Sequence, residues 1–343
     1  MGTRPTIRDL ANAAGVSVST VNRVINQPES VRKPTRDRVL HAAETIGFYG
    51  LGSIENAIKK SRETHRLGVL LQQADRVFYS NLGKALEEAA RVYHDAGIDL
   101  QLEYLSDLSP ETVAARIRSL GTQCDSMAVV AAEHPRVSEA IDFVQDRGTP
   151  VTAMIAPLSA KSDVGFVGWN NWKVGRTAAW GFHKMCKGPS EIGILVGNPR
   201  YRNQELNEIG FRSYFREYGS GFKLLEPRLT LESLAIAKEI TLELLHENPN
   251  LGGLFVSGGG ITGAIEAIRE FNPGPDFVTI GYELFAATRE GLIDGSLTMA
   301  ICHPIDAFAR QTINNLVAAK KQHSDAGAIT TYLNFEIYTS QNV

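Results

Sequence analysis

The apolar positions of this sequence recur with a helical period near its amino end and in short runs further along. Over Thr6–Ile46 they return every three or four residues, which predicts helices over Ile7–Ala14, from Val18 to about Ile25, and from about Pro34 to Ile46. From Arg66 onward, short apolar runs alternate with helical stretches, which is typical of parallel sheets covered by helices. The pattern therefore predicts a small all-α domain followed by an α/β body.

Residues at the helix ends make the first part more specific. Thr6 and Asp9 form a start signal, since the hydroxyl can accept from an early backbone N–H and the carboxylate favours the positive helix end. Gly15 is placed to end the first helix, because glycine adopts a left-handed backbone easily, and Ser17 can cap the second. Two short helices joined by a tight glycine-containing turn and braced by a third form the helix-turn-helix plan.

The second predicted helix carries residues suited to the major groove of DNA, which admits one helix. The apolar positions predicted to face the core are Val18, Val21, Val24 and Ile25. The polar positions left outward or near the helix start are Ser19, Thr20, Asn22, Arg23 and Asn26. Arginine can pair with guanine and asparagine with adenine, while hydroxyls serve phosphates or base edges. These side chains predict a DNA-reading helix.

The charge distribution agrees with that interpretation. The net charge of the chain is −3, but residues 1–62 hold ten basic and five acidic groups, so this end carries +5 and the remainder −8. A basic end on an acidic body indicates a polyanionic partner for that end alone.

The body is predicted to contain two sets of strands and helices, and so two lobes, with ligands at the carboxyl ends of the strands. The predicted strands are Leu67–Leu71, Asp99–Leu105, Met127–Ala131, Val151–Ile155, Val164–Val167, Ile192–Val196, Phe222–Leu225, Gly253–Val256, Phe277–Ile280 and Tyr332–Tyr338. The predicted helices are Leu82–Tyr93 and those near 110–120, 136–147, 171–186, 204–218, 232–246 and 261–271.

Residues 6–26 closely resemble, without a gap, the signature of the lactose-repressor (LacI/GalR) family. There a Val-Ser pair opens the recognition helix and a Thr-Val-x-Arg-Val-x-Asn block fills it. The resemblance implies that Val18 and Ser19 are the main base-reading pair and Arg23 a further base or phosphate contact, with Asn22 standing where many members carry serine. The resulting DNA-binding set is Thr6, Ser17, Val18, Ser19, Thr20, Asn22, Arg23, Asn26 and Ile58.

Ile58 enters that set through the segment behind the third helix. Family members usually carry a Pro-Asn segment that folds on DNA and inserts a leucine into the minor groove. In this chain residues 49–53 stand in place of the proline-containing stretch. Ile58 is then the first candidate for the apolar side chain that enters the minor groove, and Ile54 is the second. A plain flexible linker and a minor-groove helix are both open for this segment, since its glycines raise the entropy lost on ordering.

The resemblance also implies a two-lobed body of the periplasmic-binding-protein type, in which the chain crosses between lobes three times. The crossings are expected near Gly165–Asn170, Thr298–His303 and Gly327–Thr331. The implied domains are a headpiece (1–50), a hinge (51–65) and an effector-binding body (66–343), with lobe 1 at 66–167 and 302–328 and lobe 2 at 168–299 and 329–343.

Matching blocks in the body supply effector-binding candidates. Asn170 stands where the family usually has Asp, Asn207 where it has Arg, and His303 where Gln is common. The whole set is Phe78, Tyr79, Trp169, Asn170, Asn207, Gly258, Glu283 and His303. Polar groups beside aromatic faces suit a sugar or polyol. We therefore expect a homodimeric regulator, most simply a repressor, that reads a near-palindromic operator in double-stranded DNA.

Two other classes compete with this interpretation. A Gly-x-Gly-x-x-Gly element begins at Gly258 after a predicted strand and is typical of dinucleotide-binding proteins. The first alternative is therefore an NAD-dependent enzyme built on the two lobes. A solute-binding transport protein is the other competitor, and the absence of an export signal at the amino end argues against it. The three cysteines form no pairing motif, which suits a reducing cytoplasm. No metal-ligand spacing or catalytic motif occurs, so no metal, cofactor or catalytic residue is expected, nor is a membrane span.

Overall fold

The computed structural model describes residues 4–60, 63–219, 221–321 and 327–343. The chain forms two compact units, one of residues 1–66 with 90–99 and the other of residues 67–89 with 100–343. Among the helices within the described ranges, none is both long enough and apolar enough to cross a membrane.

The headpiece contains the three predicted helices, and a fourth follows them. They are α1 (Ile7–Ala14), α2 (Val18–Asn26), α3 (Lys33–Thr45) and α4 (Leu51–Lys60), with a 3-10 turn at Pro28–Ser30. The predicted helix-turn-helix fold is confirmed, with boundaries that differ by about one residue at most ends.

The predicted end signals act as expected at α1. The Thr6 hydroxyl accepts from the Asp9 amide, and the Asp9 carboxylate accepts from the Thr6 amide at 2.7 Å. Each side chain therefore pairs with a backbone N–H that has no partner within the helix. These hydrogen bonds from Thr6 hold the pKa of the Asp9 carboxyl below its usual value, because they stabilise the ionised form. Gly15 ends the helix in the left-handed region, at φ 62° and ψ 39°.

One apolar cluster holds the headpiece together, and it extends beyond the predicted boundary at residue 50. Its buried members are Leu10, Ala11, Ala14, Val21, Val24, Val31, Val39, Ala42, Ala43, Phe48 and Ile54. Ile54 is fully buried in this cluster, so α4 packs on the headpiece through the first half of its length. Of the two alternatives left open for this segment, a flexible linker is therefore contradicted for residues 51–60, whereas a minor-groove helix stays a prediction.

The body alternates strands with helices, as predicted. Its first part contains β1 (Thr64–Gln72), α5 (Val77–Arg91), β2 (Gly97–Leu105), α6 (Pro110–Gly121), β3 (Ser126–Val129), α7 (Pro135–Gln145), β4 (Val151–Met154) and β5 (Gly165–Trp169). Its second part contains α8 (Asn171–Met185), β6 (Glu191–Val196), α9 (Arg202–Tyr218), β7 (Lys223–Leu224), β8 (Arg228–Leu229), α10 (Leu234–Glu247), β9 (Leu251–Val256), α11 (Ile261–Phe271), β10 (Val278–Tyr282), α12 (Ala286–Asp294) and β11 (Met299–Cys302). The chain ends with α13 (Ile305–Lys321), β12 (Thr330–Leu333) and β13 (Glu336–Tyr338).

The strands form two sheets, which confirms the predicted α/β body with parallel sheets. The first sheet has the order β12-β5-β4-β3-β1-β2, and the second β13-β11-β10-β9-β6-β7, with β8 also paired to β6. The pairs from β12 through β1 and from β11 through β7 run parallel, whereas β13 pairs antiparallel with β11. Carboxyl ends of the parallel strands in each sheet therefore lie at one edge.

The C-terminal segment differs from the sequence prediction. One strand was expected over Tyr332–Tyr338, but β12 pairs with β5 in the first sheet and β13 pairs with β11 in the second. The third crossing therefore lies between Leu333 and Glu336, and residues 330–333 belong with lobe 1 and not with lobe 2. The alternation of apolar and polar residues continues through Asn334 and Phe335, so it does not mark the exchange of sheets.

Candidate DNA-binding and effector-binding sites

The outward face of α2 presents the predicted DNA-reading residues to solvent. Its buried residues are Val21 and Val24 alone, whereas Val18 is 40% exposed at the start of the helix. The periodicity argument that turned Val18 inward is wrong, because a first-turn residue lies at the edge of the core. The exposed or half-buried members of the predicted set are Thr6, Ser17, Val18, Ser19, Thr20, Asn22, Arg23 and Asn26.

Hydrogen bonds order several of these side chains before any partner arrives. The Ser17 hydroxyl caps α2 by accepting from the Thr20 amide at 3.2 Å, and it lies 2.9 Å from the Thr20 hydroxyl. The Arg23 guanidinium donates to that hydroxyl at 3.5 Å, and the Asn26 side-chain amide donates to the Asn22 carbonyl at 3.0 Å. The start of α2 is thus a hydroxyl cluster with a guanidinium beside it.

The structure describes the two candidates for a minor-groove wedge, Ile54 and Ile58, to different extents. Ile54 is buried in the headpiece core, so it is not available to enter a groove while that core is intact. Position 58 lies in α4, but the side chain of Ile58 lies outside what the structure describes. Ile58 therefore stays a prediction.

A cavity of about 370 Å³ lies at the carboxyl ends of strands from both sheets. Its lining includes residues that follow β1, β4, β6, β8, β9, β10 and β11 and the last residue of β5, the position expected for ligands of such sheets. Direct hydrogen bonds also join the two halves beside it. Gln72, the last residue of β1, donates to the Tyr201 hydroxyl at 2.8 Å, and Arg76 donates to the Glu232 carbonyl at 2.9 Å.

Most of the predicted effector residues meet in this cavity, which we call the cleft. Seven of the eight line it: Phe78, Tyr79, Trp169, Asn207, Gly258, Glu283 and His303. Asn170 does not line it. Its side chain accepts from the Lys173 amide at 3.1 Å and caps α8, so the expectation of a ligand contact is contradicted by the local need of a helix start.

A flat stack of two rings forms one wall of the cleft. The Trp169 and His303 rings are parallel within 6° with centroids 3.4 Å apart, and both residues are more than nine-tenths buried. Glu283 fixes His303 twice, accepting from its backbone N–H at 3.2 Å and contacting ring Nδ1 at 2.5 Å. A second cavity of about 430 Å³ shares Phe78, Glu283 and His303 with the cleft.

The stack lies where the chain passes from one sheet to the other. Trp169 ends β5 at the first crossing, and His303 follows β11 at the second. Phe335, at the third crossing, approaches Trp169 edge-on with ring centroids 6.3 Å apart. Residues from the first two crossings therefore line the cleft, and Phe335 of the third packs against one of them.

Several buried polar atoms at the cleft have no hydrogen-bond partner within the described chain. They include Trp169 Nε1, His303 Nε2 and Asn203 Oδ1. Unpaired buried polar atoms are destabilising, so their concentration around one cavity favours a ligand that would pair with them. Burial raises the pKa of Tyr201 to about 12 and raises that of Tyr79 well above its usual value, so both phenols remain protonated near neutral pH.

Backbone strain also concentrates at the cleft. Ile155, Glu232 and Glu283 line it with φ between 60° and 68°, the left-handed region that side chains rarely adopt. Such strain is often found at functional sites. Sequence reasoning missed Ile155 and Glu232 as cleft residues. Ile155 was read as the last residue of a strand, and Glu232 follows a two-residue strand too short to be detected from periodicity.

The glycine-rich loop after β9 is filled by this chain's own side chains. A Cβ on Gly258 would lie 2.5 Å from Gln204 Oε1, and one on Gly259 would lie 1.8 Å from Glu232 Oε2. Gly263 packs against the backbone of Leu234, since a Cβ there would lie 2.1 Å from the Leu234 carbonyl. These glycines therefore allow close internal packing, and Gly258 and Gly260 also line the cleft.

Two family patterns match the sequence, one for each part. The pattern of the periplasmic binding protein domain matches residues 67–323, and that of bacterial regulatory proteins of the lacI family matches residues 6–50. The first match covers most of the chain.

Similar curated proteins are transcription regulators. Catabolite control protein A of Staphylococcus aureus (strain Mu50) is 31% identical over 272 residues, covering 72% of this chain and 78% of that protein. The HTH-type transcriptional regulator DegA of Bacillus subtilis is 25% identical over 71% of each chain. The HTH-type transcriptional regulator IdnR of Escherichia coli is 22% identical over 98% of this chain and 97% of its own length.

Solved structures with the same fold include sugar-binding proteins. A periplasmic solute-binding protein of Actinobacillus succinogenes with bound D-allose has a TM-score of 0.73 at 18% identity, covering 81% of this chain and 98% of that one. GanP, a glucose-galactose binding protein of Geobacillus stearothermophilus, has a TM-score of 0.74 at 15% identity, covering 82% and 99%. These likenesses show the fold of the body.

Proposed function

Because the chain belongs to the LacI family of bacterial regulatory proteins, we propose that it is a repressor whose binding to operator DNA is controlled by a small molecule in the cleft. Its relatives are transcription regulators and not enzymes, and the chain is a regulator of the same kind. The finer parts of the proposal are a sugar or polyol effector, a homodimer, and a near-palindromic operator read by two headpieces in the cytoplasm.

The observation that carries the proposal is the outward face of α2. Val18, Ser19 and Arg23 are exposed on a helix whose opposite face is fixed by Val21 and Val24 in the headpiece core. A guanidinium on such a helix can pair with a guanine edge in the major groove. The sugar or polyol is supported by the unpaired polar atoms around the cleft, and by the D-allose in the similar solute-binding protein.

The direct test is Arg23→Ala in the full-length protein. An operator is first selected from a random duplex library with the wild-type protein. The ratio of the affinities for that operator and for random duplex should be about 10- to 100-fold lower in the variant, because a bidentate base contact is worth about 1–3 kcal/mol of discrimination. Fluorescence anisotropy at several salt concentrations separates this loss from a loss of phosphate contacts, which would mainly change the salt slope.

Arg289→Ala is the matched control, since it removes the same charge from an exposed position of the body. It should leave operator preference unchanged. If Arg23→Ala keeps full preference for the selected sequence, α2 is not the reading helix and the proposal is wrong.

A further inference from the structure

We propose that the cleft selects an uncharged ligand rich in hydroxyl groups and rejects its carboxylated or phosphorylated analogues, with Glu232 as the excluding charge and the Trp169–His303 stack as the hydroxyl contact. This inference rests on the proposed function in one respect, that an effector occupies the cleft. Beyond the proposed function, it states which chemical class of effector the cleft residues accept.

Negative charge predominates among the ionisable side chains that line the cleft. Among its described lining residues are the carboxylates of Asp75, Glu232 and Glu283, against one guanidinium, that of Arg76. Arg76 is already engaged, since its guanidinium donates to the Glu232 carbonyl at 2.9 Å and to Gln73 Oε1 at 3.2 Å. An anionic ligand would enter a region of net negative charge in which partial burial weakens screening by salt.

A network of hydrogen bonds holds the Glu232 carboxylate in place. Gln204 Nε2 donates to Glu232 Oε1 at 2.8 Å, and Gln204 Oε1 accepts from the amides of Gly197 and Asn198 at 2.8 and 3.0 Å. The second Glu232 oxygen lies beside Gly259, just before α11 begins. The positive end of a helix can bind a phosphate group, and the positive end of α11 has a carboxylate of this chain nearby.

The Trp169–His303 stack presents two buried ring nitrogens that can form hydrogen bonds with a ligand. A carboxylate only accepts, so His303 Nδ1 carries a proton toward Glu283, and in the tautomer that is protonated at Nδ1 alone the ring presents a lone pair at Nε2. The indole Nε1 of Trp169 can only donate. Both atoms are buried and unpaired. A ligand hydroxyl can accept from the indole and donate to the imidazole, whereas a carboxylate or phosphate oxygen without a proton cannot donate.

Asn203 extends the same preference. Its Oδ1 is a buried acceptor with no partner in the described chain, so it also needs a donor from the ligand. The cleft thus offers the unpaired acceptors His303 Nε2 and Asn203 Oδ1 together with two partly buried carboxylates. Several hydroxyl groups on an uncharged carbon skeleton supply the missing donors.

The test is a calorimetric screen of the full-length protein against three ligand sets. The first contains aldoses, ketoses and alditols, including D-allose. The second and third contain the aldonic and uronic acids and the sugar phosphates that match them in carbon skeleton. We expect binding within the first set, and at least tenfold weaker binding of the matched acid and phosphate. An acid or phosphate that binds more tightly than its neutral counterpart overturns the inference, and so does the absence of binding in all three sets.

Variants identify the residues responsible. Glu232→Gln should reduce discrimination against the matched acid about tenfold, while Glu226→Gln, which changes a glutamate whose side chain is 92% exposed, should not. Asp75→Asn, at an exposed position, tests the charge argument even if Glu232→Gln fails to fold. Unchanged discrimination in both Glu232→Gln and Asp75→Asn would overturn the charge argument.

Trp169→Phe keeps an aromatic ring and removes only the N–H. It should weaken the neutral ligand about fivefold and leave discrimination against the acid intact, and unchanged affinity would overturn the role of the stack. Operator binding is measured on every sample. A failed selectivity test with operator binding retained contradicts this inference alone, whereas absent operator binding contradicts the proposed function.

Discussion

The two functional regions of this protein are built in opposite ways. The predicted DNA-facing residues of the headpiece lie almost entirely within residues 17–26, on one helix and its cap. The cleft is lined by segments that range from Asp75 to His303 and follow strands of both sheets. The first region is therefore specified by neighbours in sequence, and the second by the order of strands in two sheets.

The regions also differ in charge and in how their side chains are supported. The first 62 residues carry a net charge of +5, which favours a polyanion, whereas carboxylates dominate the charge of the cleft. The predicted reading side chains of α2 are exposed or half-buried. Several side chains of the cleft are instead buried, strained or fixed by hydrogen bonds.

Leu10→Ala should have the largest effect and should separate the two regions. Leu10 is fully buried in the headpiece core, and such a truncation typically destabilises by about 2–5 kcal/mol. A unit of this small size has only a few kcal/mol of stability, so we expect the headpiece to unfold and operator binding to be lost. The body has its own apolar clusters and should remain folded.

The measurement uses the location of the tryptophans. Trp169, Trp172 and Trp180 all lie in the body, so tryptophan fluorescence follows its unfolding, while limited proteolysis reports on the headpiece. Leu229→Ala, at a leucine that is 44% exposed, is the control and should change neither. If Leu10→Ala both exposes the headpiece to protease and lowers the unfolding temperature of the body, the two regions are not independent.

Much of the headpiece could be predicted from sequence because its signals are local. Thr6, Gly15 and Ser17 each act on atoms within a few residues, and the core positions follow a single helical period. The exception is α4, because two glycines near its start favoured a flexible segment over an ordered helix. Burial of Ile54 in the headpiece core outweighs that entropic penalty, and no local signal reports it.

The cleft could be predicted only where a family resemblance supplied positions. Periodicity placed the strands, and strand ends indicated the edge at which a ligand would lie. It could not show that Glu232 reaches Gly259, or that Trp169 stacks on His303, since these contacts depend on the packing of distant segments. Asn170 was misplaced for the same reason, because its capping bond competes with any role in the cleft.

Gly260→Ala should have an intermediate effect and should sharpen the account of the glycine loop. Gly260 has φ +102°, and a Cβ there would lie 2.6 Å from the Ala237 Cβ. The unfavourable backbone alone destabilises by about 1–3 kcal/mol, so the unfolding temperature of the body should fall by several degrees. Gly188→Ala is the matched control, because no atom lies within 4 Å of its added Cβ. Equal unfolding temperatures for the two variants would contradict an internal packing role for the loop.

Ser17→Ala should have the smallest effect and should show how far the DNA-facing surface depends on its cap. The hydroxyl of Ser17 accepts from the Thr20 amide and orders the Thr20 hydroxyl, so its removal leaves a helix start unsatisfied. Losing such a cap destabilises a helix by about 1 kcal/mol, which corresponds to about fivefold faster amide exchange in α2. Hydrogen exchange of the full-length protein measures this, with Ser53→Ala, an exposed serine in α4, as the control. Faster exchange throughout α1, α2 and α3 would instead mean that the cap supports the whole headpiece, whereas faster exchange confined to α2 would show that the reading helix can loosen while its core persists.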